Sequence, residues 1–198
     1  MTQSAEQTVL TEYLAHELGT EAKHELINGA IVAMAGASRE HNAIAGNIVA
    51  ALGALLKSRR CLVFPRDQRV HVEATGLFTY PDVSVACDNL RFHPKNRDTL
   101  LNPCVLVEVL SDSTEAYDRG AKFAHYRTIP SLQEYVLVSQ HEHKIEHYRR
   151  LETGQWVLTV FEGDAAAADL PVLGCALSLA EVYDKLDLLA PEPPSAPG

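Results

Sequence analysis

Residues 104–110 read Cys104-Val105-Leu106-Val107-Glu108-Val109-Leu110, a near-continuous apolar run with one carboxylate in its middle. Such a run predicts a central strand covered on both faces, because a half-exposed strand would alternate polar and apolar positions. Glu108 conflicts with that setting. A lone carboxylate in a dry core is strongly unfavourable unless it is paired, neutralised or metal-bound. The bland alternative is a strand that ends near residue 107 and lets Glu108 reach water. Three more apolar or small residues precede Asp112, and they weigh against that ending. The pattern points to a functional carboxylate.

Working outward, residues 118–128 predict a helix that stops before Pro130. Segments 133–139, 144–150 and 155–161 read as three successive strands, the last two alternating as a half-exposed meander does. A final helix is expected over 178–186, with Ser178 as N-cap and Glu181 at the capping-box position. Upstream, residues 8–18 read as a short helix. Asn28-Gly29 between two apolar runs is a hairpin signal, because a type I′ turn needs positive φ at both positions. It predicts that 25–27 pairs with 30–35. Ile44, Ile48, Leu52, Leu55 and Leu56 form one apolar stripe over 39–58, a helix with Ser38 as N-cap. Segments 61–64, 68–73 and 82–87 read as strands, and the polar stretch 88–103 as a loop. The sum is an α+β fold: a mixed central sheet with helices before, between and after it.

The chain has 198 residues, with 17 Lys+Arg against 26 Asp+Glu and a formal net charge of −9. Apolar residues make up 46 %, the composition of a globular domain with a proper core. Residues 1–188 are expected to form a single domain, and 189–198 a Pro-rich, disordered tail. No apolar run approaches the roughly 20 residues of a membrane span. The start is polar, without the pattern of a signal peptide, so a cytoplasmic location is expected. Cys61, Cys87, Cys104 and Cys175 are scattered, with no C-x-x-C pair, and are expected to be reduced, small hydrophobes. The acidic balance argues against a protein that coats nucleic acid by bulk charge, though not against a local basic groove.

Asp82 is the natural partner of Glu108. It opens a short apolar strand after Tyr80-Pro81, and 26 residues separate the two acids, enough for a return to a neighbouring strand. Two carboxylates on adjacent strands can hold Mg²⁺, which takes hard oxygen ligands and keeps several waters. On its own, Asp82 is equally readable as the cap of a Pro-Asp turn. If 118–128 is helical, Lys122, His125 and Tyr126 share a face. A lysine there can stabilise charge developing on a phosphate; spacing alone equally allows a solvated surface lysine. His41, beside Asn42, could touch a phosphate or the metal shell, or simply be a hydrogen-bonded histidine. His141-Glu142-His143 with His147 invites a metal reading, but its place at a strand turn favours a solvated hairpin. Arg59, Arg60, Arg66 and Arg69, and then Arg91, Lys95 and Arg97, would line a phosphate-contacting groove if they converge.

Four stretches carry a family resemblance: HELINGAIVAMAGAS (24–38), TYPDVSVAC (79–87), NPCVLVEVLSDSTEAYDRGAKFAHYR (102–127) and IPSLQEYVLVSQ (129–140), with His41-Asn42 between them. From about residue 8 to 187 the chain resembles the Uma2 family, bacterial proteins described as restriction endonucleases of the PD-(D/E)xK nuclease fold. The resemblance implies an α/β/α-like restriction-endonuclease core and a metal-dependent phosphodiesterase centre. Asp82 matches the Pro-Asp carboxylate, Glu108 the second carboxylate, and Glu25 an acid placed near the metal from an early element. The signature lysine two positions after Glu108 is replaced by Leu110, and Lys122 looks like its migrated substitute. Asp112 stands where relatives commonly carry Pro.

The implied activity is hydrolysis of DNA phosphodiester bonds with Mg²⁺ or Mn²⁺, held by Asp82, Glu108 and Glu25, with Lys122 as the catalytic cation. Cutting two strands suits a homodimer. The net charge of −9 implies weak or transient DNA contact. The alternative is a catalytically weak or inactive nuclease-fold protein that binds nucleic acid or a protein partner. An enzyme acting on another phosphate ester is a third reading.

Overall fold

The structure, a computed structural model, describes residues 3–189. Apart from Leu189, the expected tail 189–198 lies outside the described residues. The chain opens with α1 (Gln3–Leu18) and turns into β1 (His24–Ile27) and β2 (Ala30–Ala33). Asn28 and Gly29 join them with φ of 51° and 84°, the left-handed pair that the hairpin turn demands. In α2 (Arg39–Leu55), the Ser38 hydroxyl accepts the His41 backbone N–H at 3.0 Å. Ile44, Ile48 and Leu52 are fully buried along one stripe, each worth about 1.5–3 kcal/mol of burial.

Strands β3 (Cys61–Pro65), β4 (Arg69–Val72), β5 (Leu77–Thr79), β6 (Val83–Cys87), β7 (Phe92–His93), β8 (Asn96–Leu100) and β9 (Val105–Val109) follow. A helical passage comes next: α3 (Glu115–Tyr117), a π-helical turn (Asp118–Lys122) and α4 (Phe123–Tyr126). The chain then forms β10 (Glu134–Val138), β11 (Lys144–Arg150), β12 (Trp156–Glu162), β13 (Ala167–Leu170), β14 (Cys175–Ser178) and α5 (Leu179–Val182).

The strands make a six-stranded sheet in the order β12-β11-β10-β9-β6-β3, a second in the order β2-β1-β5-β4-β8-β7, and the pair β13-β14. The run that opened the sequence reading is a central strand: β9 lies between parallel β10 and antiparallel β6, with all five residues buried. Its odd-numbered side chains, Val105, Val107 and Val109, share a core with Ile44, Ile48 and Leu52 of α2. Leu106 and Leu110 face the other way, into a core with Tyr126 of α4 and Val70, Leu77 and Leu100 of the second sheet. Strand alternation therefore places Glu108 between the first sheet and the layer formed by the helical passage and the second sheet. The α+β architecture agrees with the expectation.

Several local expectations are corrected. Segment 88–103 is not all loop: it holds β7 and β8, and β8 pairs in parallel with β4. Only Thr99 and Leu100 of β8 are buried, so the strand carries almost no apolar signal. The helix expected over 118–128 starts earlier, passes through a π turn and ends at Tyr126. The final helix is a single turn, and the Ser178 side chain makes no capping bond. The four cysteines are not all reduced thiols. Cys61 and Cys87 form a disulfide, because antiparallel β3 and β6 set them directly opposite each other. Cys104 and Cys175 are free.

Candidate active site

Val83 pairs with Val107 across β6 and β9. One step further in the same register sets Asp82 across from Glu108. Both line one cavity of about 670 Å³, together with Glu25, Lys122, His41, Arg66 and Asp118. All four residues singled out from sequence as catalytic or metal-binding therefore lie around one space.

Asp82 is fixed from three sides. The Val109 backbone N–H donates to its Oδ2 at 2.8 Å, His41 Nε2 lies 3.0 Å from the same oxygen, and Arg66 Nε stands 3.6 Å from Oδ1. Glu108 is only 3 % exposed. Its Oε1 accepts the Tyr126 hydroxyl at 2.7 Å and lies 2.9 Å from Lys122 Nζ. Glu25 Oε1 accepts the Thr79 hydroxyl and sits 3.8 Å from Lys122 Nζ. Asp118, one helical turn before Lys122, approaches it at 3.4 Å. Lys122 is thus no solvated surface residue: it is buried in a cage of three carboxylates.

Burial pushes the Glu108 carboxyl up to about 8, with Asp82 and Asp118 adding to the rise and Lys122 opposing it. Burial works against the Lys122 ammonium, yet Glu108, Glu25 and Asp118 outweigh it and hold its pKa well above that of a free lysine. Four buried carboxylates, Glu25, Asp82, Glu108 and Asp118, stand against two cations, Lys122 and Arg66. That imbalance suits a site that takes up positive charge. The donors are hard oxygens, the set that Mg²⁺ or Mn²⁺ prefers. Among the described residues no three His, Cys, Asp or Glu side chains already converge on one point, because the Lys122 ammonium sits among the acids.

Other expected members fall elsewhere. Leu110 is buried in the apolar core. His125 does not line the cavity; the π turn leaves Lys122 and Tyr126 on the buried side without it. The histidine cluster is dispersed: His141 pairs with exposed Asp112, His143 with Asp164, and His147 is buried near Glu134. The basic residues do not converge. Arg66 reaches the cavity, whereas Arg69 is buried against Thr99 and Tyr80, and Arg91 pairs with Glu73. Thr79 and Asp118 were not singled out from sequence; the Asp118–Lys122 spacing of one helical turn was the available signal.

A family model described as "Uma2: Putative restriction endonuclease" matches residues 10–180. The chain belongs to the Uma2 family. Two Synechocystis sp. proteins, both named only as uncharacterized (sll1609 and slr1290), are similar to this Uma2 chain. The first is 37 % identical over 155 residues, covering 78 % of this chain and 88 % of that one. The second is 35 % identical over 175 residues, covering 87 % and 89 %. Among solved structures, a crystal structure titled "a putative nuclease belonging to DUF820", from Anabaena variabilis, superposes with a TM-score of 0.68. It covers 83 % of this Uma2 chain and 91 % of its own, at 22 % identity. That likeness establishes the shared fold. Among the described residues no helix is long and apolar enough to cross a membrane.

Proposed function

We propose that this chain is a divalent-metal-dependent endonuclease that hydrolyses DNA phosphodiester bonds. One observation carries the reading: Asp82 and Glu108 face each other from adjacent strands into one cavity, with the Lys122 ammonium 2.9 Å from Glu108. Asp82 and Glu108 would hold Mg²⁺ or Mn²⁺, with Glu25 contributing directly or through water. Such an ion, when bound, lowers the pKa of a water and neutralises the attacked phosphate.

The chain's own residues do the rest. His41 and the Val109 N–H fix the Asp82 carboxylate, and Tyr126 fixes Glu108, so the acids need little reorganisation. Lys122 is held cationic by its carboxylate neighbours and is placed to stabilise charge developing on the phosphate. It performs from the helix the task for which the apolar Leu110 is unfit. Arg66, partly exposed at the cavity, offers a fork for a backbone phosphate. With a net charge of −9, DNA contact rests on this local geometry and is weak or transient.

The experiment is cleavage of plasmid DNA with Mg²⁺, Mn²⁺ or chelator, for wild type, Glu108→Gln and Lys122→Gln. The expected result is metal-dependent cutting, reduced at least about 100-fold in both variants. Equal cutting by all three proteins overturns the assignment. A gel shift without cutting by wild type would favour the reading as a non-cleaving binder.

A further inference from the structure

Among the described residues the two large sheets end in four edges: β7, β2, β3 and β12, of two, four, five and seven residues. The longest, β12, lacks the usual protections of an edge strand. It holds no Pro or Lys, its register with β11 is unbroken, and its one charge, Glu162, stands at its end. Val157, Leu158 and Val160 are 42 %, 46 % and 45 % exposed. We propose that β12 is a self-association surface, on which a second copy of this chain lays its own β12 antiparallel about a two-fold axis at Thr159.

The backbone is set for such an addition. The Leu151 N–H donates to the Gln155 carbonyl at 2.7 Å, and the Gly163 N–H to the His143 carbonyl at 2.9 Å. Both contacts fit the register of β11 with β12, so the odd-numbered residues of β12 bond to β11. The N–H and C=O groups of Trp156, Leu158, Val160 and Glu162 therefore point outward from the sheet. A strand added there gains a full ladder, as in β-augmentation generally.

The side chains select the register. With Thr159 opposite itself, Leu158 faces Val160 of the second copy, and Val157 faces Phe161. Each apolar residue thus meets an apolar partner on the same face of the sheet. A two-fold axis repeats both pairs, which makes the surface self-complementary. The charges select the direction. The Trp156 end of β12 lies beside Arg149 and Arg150 of β11. The other end carries Glu162, Asp164 and Glu142 around the single Lys144. Antiparallel addition sets the basic end of one copy against the acidic end of the other, whereas parallel addition would set like against like. Three strands separate this edge from Asp82 on one side and Glu108 is two strands away from β11, so the surface is independent of the cavity and of the endonuclease reading.

The test is sedimentation of the full chain as wild type, Leu158→Lys and Val160→Glu, with circular dichroism as the check on folding. Both side chains are exposed, so the fold is expected to persist. Wild type should form a dimer, weakened at least about tenfold in each variant because each places an unpaired charge in the contact. Mixing the two variants should restore dimers, since the introduced lysine then meets the introduced glutamate. A second measurement reads the register. In the Thr159→Cys variant the two opposed Cα atoms stand about 4.5 Å apart, within reach of a disulfide. In Val157→Cys they stand about 14 Å apart, at about 3.4 Å per residue. Mild oxidation should therefore cross-link the first and spare the second. A monomeric wild type overturns the proposal and leaves the edge to a strand from another protein. Association untouched by both charges, a mixture that stays monomeric, or equal cross-linking of the two cysteine variants overturns it as well.

Discussion

Two buried carboxylates on neighbouring strands meet different surroundings. Glu108 points towards a lysine and a tyrosine hydroxyl. Glu134, on the opposite face of β10, accepts one backbone N–H from Val172 with Oε1 while its Oε2 has no partner. Burial pushes Glu134 up to about 7, with Asp169 adding to the rise and the Val172 N–H opposing it. Nearby His147 is pushed down to about 4 by burial, so it offers no compensating charge near neutrality. The sign follows from linkage. Because the folded state binds this proton more tightly, the stabilisation is fully present below about pH 4.5 and is lost as pH rises through 7. Glu134→Gln keeps the oxygen that accepts from Val172 and removes the charge. Melts at pH 5 and pH 8 should show the variant gaining Tm relative to wild type on going to pH 8; an unchanged difference contradicts this. Glu108 was legible in the sequence because it interrupts an apolar run. Glu134 was not, since it stands at a strand end beside Gln133, where a carboxylate normally meets water.

Elements with strong local chemistry were legible. The Asn28-Gly29 turn and the α2 stripe depend on φ preferences and helical period, both visible in sequence. Strands β7, β8, β13 and β14 were missed because edge strands and short hairpins need little apolar signal when neighbours supply their hydrogen bonds; β5 was missed although it is buried, because its three residues, Leu77–Thr79, are too short a run to show a period. The π turn was also invisible: nothing local in Asp118-Arg119-Gly120-Ala121-Lys122 marks it. The hairpin matters for the site because β1 carries Glu25. Gly29→Ala forces a side chain onto a φ of 84°, and should cost about 1–2 kcal/mol of stability. Chemical denaturation measures it; a neutral substitution would contradict the turn's role.

Across the whole molecule, the sheet order decides what the sequence left open. Placing β6 between β3 and β9 brings Cys61 onto Cys87 at one end of the strands, and Asp82 onto Glu108 at the other. Neither pairing follows from spacing alone, since both pairs are 26 residues apart and only the register distinguishes them. Protein purified without reductant and then denatured should show two titratable thiols, Cys104 and Cys175; four would contradict the cross-link. Part of the net charge, first an argument against a nucleic-acid enzyme, lies where it has a use: four buried acids line the cavity against only Lys122 and Arg66 and leave it short of positive charge. Whether a divalent cation fills that deficit is the central claim. Crystals soaked in Mn²⁺ and measured for anomalous scattering test it directly. The account predicts a peak between the Asp82 and Glu108 carboxylates, lost in Glu108→Gln. A cavity in which Lys122 keeps its place against Glu108, with no peak at saturating Mn²⁺, would contradict it.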